Sequence, residues 1–166
     1  KAWRDFERWQ QRRAAARGET APTSGETEET AWLAAHPPGL VEHREAFSPA
    51  GKYGRWLRAR PALLVEQGTL FVHGCLAPSR RAQAPAEIDA QVHAEIALWD
   101  ELHREFVAEG LALPFFDVAE TTLTIRAELY ALDAAEERLR AEAAATGREH
   151  TMAAKTSARR ARFERF

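Results

Sequence analysis

Apolar residues recur at the spacing of an α-helix in two long segments of the chain. In residues 85–109 they lie three or four positions apart and so fall on one face of a helix. They are Ile88, Val92, Ile96, Trp99, Leu102 and Phe106. Residues 118–146 repeat the pattern with Ile125, Leu129, Leu132 and Leu139. The spacing predicts two long antiparallel helices, a helical hairpin over residues 85–147 that is an insertion or a cap.

A different pattern precedes the long helices. Residues 62–66 and 69–72 are short runs rich in Leu, Val and Phe, with Gln67 and Gly68 between them as a turn. This pattern predicts one short β-hairpin over about residues 62–73, so the fold class is α+β and mostly helical. The second strand runs directly into His73. The glycine that follows lets the backbone bend and another group approach closely, which makes this histidine a candidate ligand.

The first thirty residues divide into a helix and a loop. Residues 1–17 place Trp3, Phe6 and Trp9 about a turn apart among basic residues. This helix presents an aromatic face, which either docks on another part of the protein or binds an anionic partner. Residues 18–30 are acidic and rich in Gly, Pro, Ser and Thr, a composition that predicts a mobile loop.

The other segments are shorter or more basic. Residues 31–80 begin with a short helix around Trp32 and contain an amphipathic helix over residues 51–60, which Pro61 stops before the hairpin. Residues 148–166 predict a basic helix or tail. Its expected ordered contacts involve Met152, Phe163 and Phe166.

Composition narrows the class of protein. The apolar runs are far shorter than the roughly 20 residues that span a bilayer, and no apolar segment follows the basic start, so we expect no membrane partner and a cytoplasmic location. A single cysteine excludes an intrachain disulfide and a CxxC zinc site. The formal net charge of -2 excludes a globally basic nucleic-acid binder, and the sequence indicates no clear nucleic-acid partner.

The residues before and after the predicted hairpin carry a resemblance to a known family. Residues 54–58 read GRWLR, Pro61 follows, and residues 70–78 read LFVHGCLAP. In order and spacing this resembles the GRWLR…P…LFVHGGLxP segment of calcineurin-like metallophosphoesterases, most closely the bacterial Shewanella-like protein phosphatases. The upstream HPPGLVEHREAF, residues 36–47, is similar to the lead-in of that segment.

The resemblance implies a function for the parent protein. In that family the histidine of HGG is a ligand of a two-metal centre of the Mn, Fe or Zn type, which implies the same role for His73, with Gly74 and Cys75 completing the motif. Two divalent cations about 3.5 to 4 Å apart activate a bridging water for phosphomonoester hydrolysis. The implied substrate is a phosphorylated molecule, bound through the parent domain, and phosphoproteins are one candidate class.

Two departures from the family pattern limit what this chain does alone. The second glycine of HGG is Cys75 here, which is strained by roughly 1 kcal/mol if the position requires positive φ. The family's GDxHG, GDxxDRG, GNHE and late GH motifs are absent from the sequence. At most one metal ligand is therefore supplied here, and a stable site needs three or four. We expect the isolated chain to be inactive.

Two features of the sequence favour a fragment of a longer protein. It starts at Lys1 rather than at a methionine, and it stops at Phe166 within a helical pattern. The resemblance agrees, since the matching segment lies between the GNHE and late GH motifs of the family. We expect a fragment of a metallophosphoesterase α/β sandwich.

Four residues near the hairpin are candidates for contact with the phosphorylated substrate, although each also has a structural alternative. They are His36, His43, Arg55 and Arg58. The two histidines could simply belong to a loop that ends a helix, and at least one arginine on so short a helix must point to solvent. His93 and His103 lie about 80° apart on the predicted helix and cannot chelate one metal, so we interpret them as solvated.

A second hypothesis belongs to another functional class. The chain could be a non-catalytic helical interaction or cap module that binds a partner through its aromatic and basic helices. Exposed apolar helix faces would then also favour self-association.

Overall fold

The structure is a computed structural model, and it describes residues 1–21, 25–146, 160–161 and 163–165. Within that part the chain is 68% helix and has one two-stranded antiparallel hairpin, which confirms the predicted mostly helical α+β class. The chain forms two compact units, Lys1–Glu105 and Phe106–Phe166, each described below by itself.

The elements follow one another in a simple order. Four helices precede the hairpin, and two long helices follow it. They are α1 (Ala2–Arg17), α2 (Glu26–Ala35), α3 (Leu40–Phe47), α4 (Lys52–Arg58), β1 (Leu63–Glu66), β2 (Thr69–Val72), α5 (Pro85–Ala108) and α6 (Val118–Thr146). A short 3₁₀ turn, Pro78–Arg80, lies before α5. No helix in the described residues is long and apolar enough to cross a membrane.

Helix α1 packs its aromatic face on α2. The rings of Trp3 and Phe6 lie 5.7 and 5.6 Å from that of Trp32, measured between centroids. Trp3 and Trp9 are buried, with 9% and 7% of their surface exposed. The predicted aromatic face therefore exists, and its packing partner comes from the same chain.

The predicted loop over residues 18–30 is wrong at its end, because α2 already begins at Glu26. The backbone N–H of Gly25 donates to the Glu28 carboxylate at 3.0 Å, and three acidic residues occupy the first turn. Carboxylates stabilise this end of a helix through its exposed N–H groups and its dipole. The acidic run, interpreted from its composition as loop, is thus a helix start. Residues 22–24 lie outside the described residues.

Helix α3 was missed by the sequence analysis, and it packs closely on α4. The approach is possible because of Gly54, where an added Cβ would lie 1.8 Å from the carbonyl oxygen of Ser48 and 2.4 Å from that of Phe47. A side chain of any size would therefore push the two helices apart. The glycine of the GRWLR motif thus has a packing role within this chain.

The β-hairpin has the predicted position and turn. Its register pairs Leu63 with Val72 and Glu66 with Thr69. Gln67 and Gly68 both have positive φ, 49° and 76°, which matches the twist of a two-residue hairpin loop of the I′ type. The turn residues identified from the sequence are confirmed.

Helix α5 buries part of its predicted stripe. Within the first unit, Ile88 and Leu102 are buried, while Val92, Ile96 and Trp99 are half-buried. The helix ends before Gly110, whose φ of 72° is the left-handed conformation typical of a glycine just after the last helical turn.

The second unit has its own small core. Phe106, Phe115, Phe116 and Ile125 are buried, and Phe163 meets Phe106 edge to face at 5.8 Å. This confirms the predicted contact of Phe163.

Helix α6 has the predicted bounds, but its apolar stripe is only partly correct. Burial is confined to its N-terminal half, and Leu139 is 50% exposed. Arg160 forms ion pairs with Asp133 at 2.6 Å and Glu136 at 3.1 Å. Residues 147–159, Met152 among them, and Phe166 lie outside the described residues. The antiparallel pairing of the two long helices stays a prediction.

Candidate functional site

His73 directly follows β2, and it is exposed together with Gly74 and Cys75. An added Cβ at Gly74 would meet nothing within 4 Å among the described residues, apart from the two chain neighbours. Cys75 is not among the described residues with positive φ, so the condition for backbone strain at this position is not met. Within the described part of the chain, close packing therefore does not explain the small residues of the HGC segment.

The metal pair implied by the resemblance does not fit the described residues alone. They bring together no group of three or more His, Cys, Asp or Glu side chains that could hold a metal ion. The lone cysteine is free and exposed. Since a stable centre needs at least three protein ligands, His73 can be one member of such a centre but cannot form it here.

Arg58 makes a set of contacts within the chain. Its Nε and one terminal nitrogen donate to the two carboxylate oxygens of Asp100 at 2.6 and 2.7 Å. Its other terminal nitrogen donates to the carbonyls of Phe47 and Gly54, both at 3.2 Å. The planar guanidinium fork matches a carboxylate in this side-by-side geometry. Arg58 thereby connects α3, α4 and α5, and its role in substrate contact stays a prediction.

The other three candidate substrate residues have local partners. Arg55 donates to the carbonyl of Ala50 from an exposed position. His36 caps α2, stacks on the ring of Trp32 at 4.0 Å and donates from Nδ1 to the carbonyl oxygen of the same residue. The ring of His43 lies 4.5 Å from that of Phe47. None of these contacts joins a candidate residue to His73, so their role in substrate binding stays a prediction.

A polar stripe on α5 was not predicted from the sequence. Asp89, His93 and Asp100, here called the α5 polar stripe, lie within about 40° of one another around the helix. They contact residues 58–62, which lead from the last residue of α4 to β1. Asp100 holds Arg58, and Asp89 accepts the backbone N–H of Ala62 at 2.6 Å through a carboxylate oxygen. The i, i+4, i+11 spacing is visible in the sequence, but it gives no hint of the partner segment.

His93 is the central residue of the stripe. Its Nδ1 lies 2.9 Å from the carbonyl oxygen of Asp89, and its Nε2 lies 3.1 Å from the carbonyl oxygen of Arg60. The interpretation of His93 as a solvated side chain is thus incomplete: the side chain is 35% exposed, but both of its ring nitrogens face backbone carbonyl oxygens. His103 is also not simply solvated, since it is half-buried and stacks on Trp99 at 5.2 Å.

The surroundings of His93 favour its charged form. The hydrogen bond to the backbone carbonyl of Asp89 raises the pKa of His93 above its ordinary value of 6.5. The Asp89 carboxylate and the carbonyls of Arg60 and Arg58 act in the same direction, while partial burial acts against them.

The hairpin itself is largely uncovered. Only Leu63 is buried, and the apolar residues of the two strands are 40% to 55% exposed. We call them the hairpin surface: Leu64, Val65, Leu70, Phe71 and Val72. Neighbouring residues of a strand point to opposite faces, so both faces of the hairpin present apolar side chains. Trp56, on the amphipathic helix α4, is 58% exposed as well.

Comparisons with known proteins do not assign the chain to a family. No protein-family model matches the chain, and neither a curated protein nor a solved structure matches it. The resemblance to metallophosphoesterases therefore depends on the motif residues alone and stays a prediction.

Proposed function

We propose that this chain is part of a metal-dependent phosphatase that hydrolyses phosphomonoesters, and that it supplies the hairpin and one metal ligand, His73, to the parent enzyme. The observation that carries the proposal is the uncovered hairpin. A two-stranded hairpin is marginally stable in water unless further strands or a helix cover it. Here all four residues of β2 are exposed, and the strand leads directly into the candidate ligand.

Two local features support the same conclusion. His73 and Gly74 are exposed at the end of the strand, where a group from outside the chain can reach them. The space beside Gly74 is open, which suits the close approach of another backbone or of a metal ligand.

The residues present indicate which metal ligands this chain would supply and which would come from the parent protein. The described part of the chain brings together no cluster of three or more His, Cys, Asp or Glu side chains that could hold a metal ion. The remaining ligands would come from the parent protein, and the isolated chain is inactive.

The test uses the product of the complete reading frame that contains this chain. We expect Mn²⁺-dependent turnover of p-nitrophenyl phosphate, and a loss of about 100-fold or more in His73→Ala because a metal ligand is removed. His103→Gln, which alters a histidine of α5, is the matched control and should keep its activity. An inactive full product with Mn²⁺, Fe²⁺ and Zn²⁺ would overturn the proposal. Turnover by the isolated chain that depends on His73 would overturn the inactivity claim.

The interaction module is the second candidate function. The hairpin surface also favours this class, because contiguous exposed apolar side chains mark protein interaction sites. If the His73→Ala variant of the complete product kept its full turnover of p-nitrophenyl phosphate, His73 would not be a metal ligand, and this alternative would be favoured.

A further inference from the structure

We propose that His93 is a proton-operated latch: in its doubly protonated form it ties the start of the hairpin to α5, and it releases this tie when it loses a proton. The latch is independent of the phosphatase proposal, since it depends only on contacts within the first unit. It makes the segment that leads into the hairpin responsive to pH near neutrality.

The geometry requires two protons on the imidazole. Both ring nitrogens of His93 face backbone carbonyl oxygens, at 2.9 and 3.1 Å. A carbonyl oxygen can only accept, so both nitrogens must donate, and only the imidazolium carries two N–H groups. The neutral ring has one proton left, and we expect it on Nδ1, which faces both the carbonyl oxygen of Asp89 and, at 3.5 Å, its carboxylate. Nε2 then turns a lone pair toward the carbonyl oxygen of Arg60, so the hydrogen bond to the segment before the hairpin is lost.

The charges around the ring are favourable to the imidazolium. On α5, the Asp89 carboxylate lies 3.5 Å from Nδ1. From the facing segment, the backbone carbonyls of Arg58 and Arg60 act on the ring. The two guanidinium groups of that segment are engaged elsewhere, Arg58 with Asp100 and Arg60 over the ring of Trp56 at 5.4 Å.

The contact of His93 is one of three ties, that is, three contacts that hold the same short segment on α5. Arg58, Arg60 and Ala62 are alternate residues of one short segment, and each meets one member of the α5 polar stripe. The ties from Asp100 and Asp89 do not need the proton on His93. Deprotonation therefore loosens the middle tie and leaves the hairpin attached by the other two.

The sign of the pH dependence follows from the raised pKa of His93. A group whose pKa is higher in the folded state stabilises that state fully below the unfolded pKa of about 6.5. This contribution disappears as the pH rises through the folded value, which lies higher. The latch is closed in mild acid and opens between neutral and mildly alkaline pH.

The first experiment compares urea unfolding of the wild-type chain with that of His93→Gln from pH 5.5 to pH 8.5. We expect the wild type to be more stable at pH 5.5 and the difference to shrink steadily above pH 6.5. Gln91→Ala is the control, since it shortens another polar side chain of α5 that carries no titratable group. Its difference from the wild type should be constant between pH 5.5 and pH 8.5. A difference for His93→Gln that is equally constant would overturn the proposal.

The second experiment begins with the wild-type chain, so its first measurement does not depend on a variant that might fail to fold. In the wild-type chain, the amide of Ala62 should lose about threefold of its protection from hydrogen exchange as the His93 ring resonance titrates. In Asp89→Asn, which keeps an oxygen acceptor for Ala62 but removes the charge, the titration of His93 should move to lower pH. Protection of Ala62 that does not follow the His93 titration would contradict the latch.

Discussion

At the scale of single residues, Arg58 shows how a motif residue can have a structural role. Its side chain is 28% exposed, and that of its partner Asp100 is 16% exposed. The two groups are therefore screened less by solvent than a surface pair. With two bonds to the carboxylate and two to backbone carbonyls, Arg58 joins three helices at one point.

Removal of this group should destabilise the chain. We expect Arg58→Ala to lower the free energy of unfolding by about 2 kcal/mol, because Asp100 keeps a partly buried charge without its partner. Arg58→Lys should recover only part of that loss, since an ammonium cannot form the two parallel bonds. Urea unfolding measures both. The control is Arg55→Ala on the same helix, whose exposed side chain should change stability by about 0.5 kcal/mol or less. Equal losses at the two positions would contradict the role of Arg58.

At the scale of the elements, the close packing of α3 on α4 depends on one glycine. Helix propensity alone predicts that Gly54→Ala stabilises α4 by about 0.5 to 1 kcal/mol. The structure predicts the opposite sign, because the new Cβ would overlap the backbone oxygens of Phe47 and Ser48. We expect a loss of about 3 kcal/mol, which thermal unfolding would show. The control is Gly74→Ala, whose Cβ meets open space and which should be close to neutral. A stabilised Gly54→Ala chain would show that the two helices do not pack in this way.

Local patterns predicted some elements well and others poorly. The hairpin and both long helices were found at almost the observed bounds, because alternation, helical spacing and the turn residues Gln67 and Gly68 are local signals. Helix α3 was missed because His36, Pro37, Pro38 and Gly39 directly before it suggested a loop, and α2 was shortened because its acidic first turn was taken for a loop by composition. The prediction that Leu139 is buried was wrong. An apolar stripe shows which face of a helix is apolar, but it does not show how far along the helix other parts of the chain cover that face.

The α5 polar stripe could not be predicted, because its partners are far away in the sequence. Asp100 meets Arg58, which lies 42 residues earlier, and Asp89 meets Ala62, which lies 27 residues earlier. Charged residues on a long helix are usually solvated, so their types alone gave no reason to pair them. The candidate site differs in this respect. His73 was placed correctly at a strand end, and the partners of His36 and His43 lie only four residues away, at Trp32 and Phe47, a helical spacing that is visible in the sequence.

At the scale of the whole molecule, the hairpin surface is the main feature that the described chain leaves uncovered. Both proposed functions require it to be covered, by the parent enzyme in one case and by a partner in the other. The isolated chain should therefore associate with itself through this surface, because burying exposed apolar area is favourable at about 25 cal/mol per Å². Static light scattering at increasing protein concentration measures this directly.

The decisive variant is Phe71→Lys, which places a charge in the middle of the hairpin surface. We expect it to reduce the concentration-dependent mass of the isolated chain, since a lysine blocks both apolar contact and edge pairing of strands. Leu139→Lys is the matched control, because it adds the same charge at a residue of similar exposure, 50% against 55%, on α6. That variant should associate like the wild type. If both variants remain monomeric to the same degree, association depends on net charge, and the hairpin surface is not the docking site.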